Sequence, residues 1–158
     1  MGRLTKSKER VRKHAEVFTP IHIVQQMVDL IEKEETGEDV WALGKTWLEP
    51  SCGNGVFVGE IVRRKLEHCH GICAGVAAMR DVYAIDIQAD NVEQAKAQAM
   101  GQFIRWTVKR GFNVIFSDID SVNDTLDKNF VVGDFLKPET IELYDWKLNK
   151  YVPLKEYI

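Results

Sequence analysis

Cysteine and proline are scarce in this 158-residue chain, with three cysteines and four prolines. An odd, small number of cysteines excludes a complete disulfide framework and favours a reducing compartment, so we expect a cytoplasmic protein. The chain also lacks an apolar run long enough to span a membrane and a secretory signal pattern, so no membrane is expected as a partner. The formal net charge of −3 excludes a wholly basic nucleic-acid binder.

What remains is an ordinary globular composition, with 45% hydrophobic and 28% charged residues. This length suits one domain with a sizeable core, which we place at residues 17–158. Residues 1–16 form a basic arm, in which two acids, Glu9 and Glu16, face six cations: Arg3, Lys6, Lys8, Arg10, Arg12 and Lys13. Two interpretations stay open, a salt-sensitive contact with DNA phosphates or a solvated N-terminus.

The segment at residues 46–57 is the most informative part of the chain. A short apolar strand ends in Glu49, a glycine turn follows, and a helix begins near Val56. Gly53 and Gly55 permit positive φ angles and the close approach of a ligand. The free N–H groups of the helix start favour an anionic group, while Glu49 can accept hydrogen bonds from hydroxyls or an ammonium. The pattern predicts a nucleotide-like cofactor cradle, although some α/β proteins use such glycines only to join a strand to a helix.

Two further strands end in acids. Residues 82–86 predict a strand that ends in Asp86, which is placed to bind ribose hydroxyls. The alternative is that Asp86 caps the next helix, for which Asp90 is better placed. Residues 130–132 predict a third strand, followed by Asp134 and Phe135, which can bind a purine amino group and cover the ring.

Other segments carry weaker predictions. Residues 21–31 predict an amphipathic helix whose apolar face contains Ile23, Met27, Leu30 and Ile31. Residues 36–38 predict a loop, residues 90–109 a long helix, residues 113–116 a short strand or buried turn, and residues 118–126 one or two helical turns. The crowded His and Cys residues at 68–73 do not suit one tetrahedral metal site, so we expect no metal and a helix that stops at Gly71.

Together with Phe18-Thr19-Pro20, these segments resemble the S-adenosylmethionine-binding half of DNA adenine-N6 methyltransferases. That family has an F-x-P-type segment, the motif E-P-x-x-G-x-G-x-F, an acid-ending second strand and the motif G-D-F/A-L. All four occur here in that order, across residues 18–136, and the run Glu-Pro-Ser-Cys-Gly-Asn-Gly-Val-Phe at residues 49–57 is specific. The resemblance implies a class I methyltransferase fold: a three-layer, Rossmann-like α/β domain with a mainly parallel sheet, shortened at the C-terminus.

The resemblance also implies residue roles around the cofactor. The methionine end would be lined by Phe18, Thr19 and Pro20, and the cradle formed by Glu49, Ser51, Gly53 and Gly55. Asp86 would bind the ribose, and Ile87 would pack on the adenine. Asp134 would hold the adenine amino group, and Phe135 would cover the face of the ring.

The chain departs from the family at the catalytic tetrapeptide, (Asn/Asp/Ser)-Pro-Pro-(Tyr/Phe/Trp). No Pro-Pro pair occurs, because the four prolines are isolated at positions 20, 50, 138 and 153. Asp145 and Trp146 offer an acceptor and an aromatic ring in a comparable place, without the proline-fixed carbonyl. The alternative is that they belong to a hairpin, formed by residues 141–147 and 151–154 around a turn at 148–150.

These features leave three functions open. The first is an S-adenosylmethionine-binding protein of the DNA adenine-N6 methyltransferase type, which transfers a methyl group to an amino nitrogen by proximity and orientation. The second is a catalytically silent cofactor-binding subunit or sensor, which partners another protein chain or forms a homodimer. The third is a small nucleic-acid-binding module that uses the basic arm and keeps the cofactor fold as a scaffold.

Overall fold

The fold is mixed α/β, with six helices, a parallel sheet and a hairpin in the part of the chain that the structure describes. The computed structural model describes residues 6–14, 17–34 and 39–158, with the side chains of residues 12–14 left out. The helices and strands follow one another as α1 Lys8–His14, α2 Ile21–Glu34, β1 Trp47–Glu49, α3 Val56–Glu67, α4 Ile72–Met79, β2 Val82–Asp86, α5 Ala89–Arg110, α6 Phe116–Asn129, β3 Phe130–Val132, β4 Glu142–Asp145 and β5 Lys150–Pro153. Short 3₁₀ turns at Pro138–Thr140 and Leu154–Glu156 flank the hairpin.

Three strands form the parallel sheet, in the order β1-β2-β3. Trp47 lies opposite Val82, and Ala84 lies opposite Phe130. The predicted strands at 46–49, 82–86 and 130–132 are therefore confirmed to within one residue. Because all three strands run in the same direction, their carboxyl ends meet at one edge of the sheet, which is where ligands bind in open α/β sheets.

The central strand β2 is buried on both faces, which explains its nearly continuous apolar sequence. Val82 and Ala84 belong to the main core, which the sheet shares with the helices. Ile85 faces the other way and packs with Leu143 and Leu154 of the hairpin side. The described chain thus has three layers: helices, parallel sheet and an antiparallel β4–β5 hairpin.

The C-terminal segment forms a β-hairpin, as the alternative interpretation of Asp145 and Trp146 predicts. β4 and β5 pair antiparallel, with Tyr144 opposite Tyr151. Asn149 takes a positive φ of 55°, as a tight turn requires. The Tyr83 hydroxyl donates a hydrogen bond of 2.8 Å to the carbonyl of Tyr144, which holds the hairpin against the sheet.

The predicted apolar face of α2 is wrong, because the buried residues lie one position after the predicted Ile23 and Met27. Val24 and Val28 are fully buried, whereas Met27, Leu30 and Ile31 are exposed. The reason is packing, because Val24 and Val28 belong to the main hydrophobic core. Arg64 of α3 also pairs with two acids of α2, and its guanidinium lies 2.6 Å from Asp29 and 3.1 Å from Glu32.

Other predicted boundaries also change. The acidic segment at 118–126 is part of the longer helix α6, and Phe116 begins that helix with a 90% exposed side chain instead of a buried one. The helix predicted to stop at Gly71 is α3, which already ends at Glu67. Gly71 is instead the N-cap residue of α4. The predicted long helix is confirmed as α5, whereas the predicted loop at 36–38 lies outside the described residues. No helix among the described ones is long and apolar enough to cross a membrane.

Gly55 should be essential for the packing of α3 on α5. Its φ is +84°, and a Cβ there would lie 2.4 Å from the Cα of Ala95. Gly111 is a matched control, because its φ is +68° and an added Cβ would meet nothing within 4 Å. We expect Gly111→Ala to lower the free energy of unfolding by about 1–2 kcal/mol through left-handed strain alone. Gly55→Ala should lose about 1–3 kcal/mol more through overpacking. Equal losses in chemical denaturation would contradict this role.

Candidate cofactor-binding cleft

A cleft of about 370 Å³ lies at the carboxyl edge of the parallel sheet. It is bounded by the turn after β1, the end of β2, the segment after β3 and the chain before α2. Most of the residues predicted to bind a cofactor line it: Phe18, Ser51, Gly53, Asp86, Ile87, Asp134 and Phe135. The structure therefore brings together in one place side chains that are up to 117 positions apart in the sequence.

The glycine turn has the conformation that its sequence predicts. Gly53 and Gly55 take φ angles of 51° and 84°. A Cβ on Gly53 would lie 3.3 Å from the Phe18 ring, so the glycine lets the aromatic ring sit against the turn. Gly55 has a different role, since the space a side chain would need is filled by α5 and not by the cleft.

Asp86 holds the cleft together. One carboxylate oxygen accepts the N–H of Gly53 at 2.9 Å. The other accepts the N–H of Gln88 at 2.8 Å and the side-chain amide of Asn91 at 3.2 Å. The expectation that Asp90 caps the helix is wrong, because α5 begins at Ala89 with Gln88 as its N-cap residue, so Asp90 already lies inside the first turn. Asp86 is only 7% exposed, yet it still lines the cleft.

Glu49 stands behind the turn and not in the lining of the cleft. Its carboxylate accepts the N–H of Ser51 at 3.1 Å. Burial raises the pKa of Glu49, and the negative charge of Asp86 raises it further, although the hydrogen bond from Ser51 opposes this. Two carboxylates thus repel each other across the glycine turn, so a cation placed nearby would be stabilised.

Cys52, inside the same turn, is not a nucleophile. The residue is 5% exposed, and burial raises the pKa of its thiol to about 12, with the charges of Asp86 and Glu49 adding to the effect. A thiol with this pKa stays protonated at neutral pH, whereas nucleophilic attack requires the thiolate. The turn is therefore suited to binding and not to covalent catalysis.

The segment after β3 supplies a polar group and apolar surfaces. One oxygen of Asp134 accepts the N–H of Leu136 at 3.0 Å, while its other oxygen lies 3.9 Å from the ammonium of Lys137. Phe135 packs partly against the hairpin core, so only part of its ring faces the cleft. Ile87 and Leu136 expose 52% and 88% of their surface at the rim, which leaves an apolar wall open to a ligand.

Two predicted residues near the N-terminus lie outside the lining of the cleft. Phe18 lines it, but Thr19 and Pro20 do not. The carbonyl of Pro20 accepts the N–H groups of Ile23 and Val24 at 3.0 and 3.1 Å. Pro20 therefore accepts the first hydrogen bonds of α2 and lies directly before that helix.

Asp145 and Trp146 lie at the opposite end of the sheet. The carboxylate of Asp145 accepts the N–H groups of Lys147 and Leu148, both at 2.8 Å, and the hydroxyl of Tyr157 at 2.7 Å. The indole N–H of Trp146 donates to Asn129, which in turn binds the carbonyl of Val82 at the amino end of β2. The structure does not bring these two residues to the cleft; they close the hairpin turn and anchor it.

A larger cavity, of about 570 Å³, lies at that same end. Trp47, Tyr83 and Leu143 are among its apolar walls, and Asp145 and Trp146 also line it. It contains none of the glycine-turn residues. We therefore take the smaller cleft as the candidate site, because the acids and the glycine turn meet there and not in the larger cavity.

Sequence reasoning missed two polar residues of the cleft. Gln88 and Asn91 line it, and Asn91 is 2% exposed while it binds Asp86. An asparagine inside a long helix gives no signal by itself, because its role depends on the turn it faces. Within the described residues, no three His, Cys, Asp or Glu side chains come close enough to hold a metal ion.

Comparisons of the chain with protein-family models, with curated proteins and with solved structures found no match. The fold is that of a mixed α/β protein with a three-stranded parallel sheet, and a cleft lies at the carboxyl edge of that sheet. Its function is therefore argued from the chemistry of that cleft.

The buried carboxylate of Glu49 should make stability depend on pH. Burial raises the pKa of Glu49, and the charge of Asp86 adds a smaller effect, so the folded protein binds a proton more tightly than the unfolded chain. Stability should therefore fall as pH rises from the ordinary pKa of a glutamate through the raised value. Glu49→Gln keeps an acceptor for Ser51 and removes the charge, so its free energy of unfolding should exceed that of the wild type increasingly through this window. A difference that stays constant between acid and neutral pH would contradict the raised pKa of Glu49.

Proposed function

We propose that this protein binds S-adenosylmethionine in the cleft, as the cofactor-binding domain of a DNA adenine-N6 methyltransferase-like protein. One observation carries the proposal: the glycine turn, Asp86, Ile87, Asp134 and Phe135 converge on one cleft with Phe18. All of them belong to the sequence motifs that predict a cofactor site, and these motifs lie far apart in the chain. A shared cleft is what common binding to one ligand requires.

The chemistry of the cleft fits this cofactor. S-Adenosylmethionine carries a sulfonium and an ammonium, and both cations suit the glycine-turn side of the cleft, which Asp86 lines and behind which Glu49 lies. Its adenine is a flat apolar ring with an amino donor. The open side chain of Ile87 and part of Phe135 offer apolar surface for the ring, and the less engaged oxygen of Asp134 accepts from the amino group.

The residues of the chain would bind and orient, while the bound cofactor would supply an electrophilic methyl group. Asp86 fixes the turn and the start of α5 before any ligand arrives, since its hydrogen bonds are already made. Such preorganisation reduces the ordering that binding must impose. Transfer to an adenine amino group would then depend on how well the target base is held in line.

A second candidate is a silent cofactor-binding subunit or sensor, and one observation favours it. The acceptor and aromatic ring that could replace the family's catalytic tetrapeptide, Asp145 and Trp146, close a hairpin at the far end of the sheet. In this candidate a second protein chain or another copy of this chain supplies the group that holds the target base. A cytoplasmic location and DNA as the final target belong to both candidates.

Isothermal titration calorimetry with S-adenosylmethionine tests the binding proposal. Asp134→Asn keeps the oxygen that accepts the N–H of Leu136 but removes an acceptor for the adenine, so we expect affinity to fall roughly tenfold to a hundredfold. Asp145→Asn is the matched control, because Asp145 also holds a turn through one oxygen but lies at the other end of the sheet. It should bind as the wild type does.

An apolar pair of variants tests the adenine wall separately. Ile87→Ala should weaken binding about fivefold, because apolar contact with the ring is lost while an exposed residue contributes little to folding. Ile104→Ala, at a residue of α5 that is 45% exposed and does not line the cleft, should leave affinity unchanged. No binding by the wild type, or equal effects in both members of either pair, would remove the proposal.

Methyl transfer separates the two candidates. The isolated chain should transfer radiolabelled methyl groups to mixed-sequence DNA slowly or not at all, because misplacement of the target amine by about 1 Å reduces the rate on the order of 100-fold. Asp145→Ala and Trp146→Ala should not change this rate. Robust turnover by the chain alone would contradict the silent subunit, and its loss in these variants would restore them as catalytic residues.

A further inference from the structure

The proposed function leaves the docking of the N-terminal segment unexplained. Lys6 and Arg10, two cations of the basic arm, converge on a single carboxylate at the start of α5. The ammonium of Lys6 and one guanidinium nitrogen of Arg10 each lie 2.7 Å from the same oxygen of Asp90. A second guanidinium nitrogen of Arg10 lies 3.3 Å from the other oxygen.

Local structure explains why these two cations point the same way. The hydroxyl of Ser7 accepts the N–H of Arg10 at 3.1 Å, and the carbonyl of Ser7 accepts the N–H of Val11 at 3.2 Å. Lys6 precedes α1 and Arg10 lies in its first turn, so the turn at Ser7 brings both cations to the same carboxylate. The arrangement is a small cationic fork, built by the sequence and closed on Asp90.

The occupant of the fork is an exposed carboxylate. The side chain of Asp90 is 52% exposed, whereas those of Lys6 and Arg10 are 20% and 24% exposed. Ion pairs that water reaches are weak and screened by salt, so another anion can replace the carboxylate. A phosphate presents the same pair of oxygens with more negative charge, and Lys and Arg together suit it.

We propose that Asp90 is an intramolecular competitor of DNA, which occupies on Lys6 and Arg10 the position that a backbone phosphate takes when DNA binds. The proposal rests on DNA as the partner in the proposed function, and it does not depend on cofactor binding. At Lys6 and Arg10 the arm is therefore neither a free phosphate-binding tail nor a solvated N-terminus. Weak ion pairs with Asp90 hold these two side chains on the domain.

Replacement of Asp90 by a phosphate would also affect the cofactor cleft, because Lys6 contacts two residues that line it. Lys6 also donates to the side-chain oxygen of Asn91 at 2.5 Å, and its ammonium lies 5.9 Å from the centre of the Phe18 ring. Asn91 binds Asp86, which binds Gly53. A phosphate that draws Lys6 away from Asp90 therefore also removes a partner from two residues that line the cleft.

Binding of a short mixed-sequence DNA duplex to the full chain, measured by fluorescence anisotropy across about 50 to 200 mM salt, tests the proposal. Asp90→Asn should bind about three- to tenfold more tightly than the wild type at the low-salt end, because two exposed ion pairs no longer compete. Its affinity should also fall more steeply with salt. Thermal unfolding of the variant confirms that it remains folded.

The matched control is Glu93→Gln on the same helix. Glu93 is 70% exposed and pairs with Lys96 at 3.0 Å, so this variant removes the same charge without releasing the fork. It should match the wild type. Adding Lys6→Gln to Asp90→Asn should abolish the gain in affinity.

Three results would overturn the proposal. The first is an equal DNA affinity in Asp90→Asn and Glu93→Gln, which would mean that only net charge matters. The second is a gain that persists when Lys6→Gln is added. The third is a gain in the affinity of Asp90→Asn for inorganic phosphate without any gain in its affinity for DNA, which would assign the fork to free phosphate. None of these results bears on the calorimetric test of S-adenosylmethionine binding, so each of the two proposals can fail without the other.

Discussion

The carboxylate of Asp86 is the constraint on which the candidate site depends. It joins two elements that the sheet alone does not fix: the turn after β1 through Gly53, and the start of α5 through Gln88 and Asn91. Asn91 is buried, so its side-chain amide would otherwise lack a partner, and an unmet buried donor is costly. The shape of the cleft therefore follows from one side chain at the end of the central strand.

The sheet and most of the lining of the candidate cleft were predictable from the sequence, because both depend on local patterns. Apolar runs that end in acids, at Glu49 and Asp86, identify strands whose carboxyl ends share an edge. The glycines identify the turn, since positive φ angles are a property of single residues. Once the strands are known to be parallel, the convergence of distant segments at that edge follows from topology and needs no information about side-chain contacts.

The parts that could not be predicted depend on pairs of residues far apart in the chain. The buried face of α2 depends on how Val24 and Val28 pack in the core that α2 shares with α3, and no periodicity within α2 contains that information. The sequence favours Asp90 as a cap, yet its partners are Lys6 and Arg10 from the N-terminal segment. In the same way, the motif order suggested a catalytic position for Asp145, whereas the hairpin carries it to the other end of the sheet.

The electrostatics of the cleft connect its stability with its ligand. Glu49 and Asp86 face the same turn, and burial increases the effect of each charge on the other. The protein without ligand therefore retains a local repulsion that folding alone does not remove. A ligand that brings a positive charge to this turn gains attraction and also relieves the repulsion, so its binding should stabilise the fold. An uncharged ligand of the same shape would make the same packing contacts but would not relieve the repulsion. The arrangement therefore favours a cation, and the proposal of S-adenosylmethionine as the ligand agrees with this electrostatic preference.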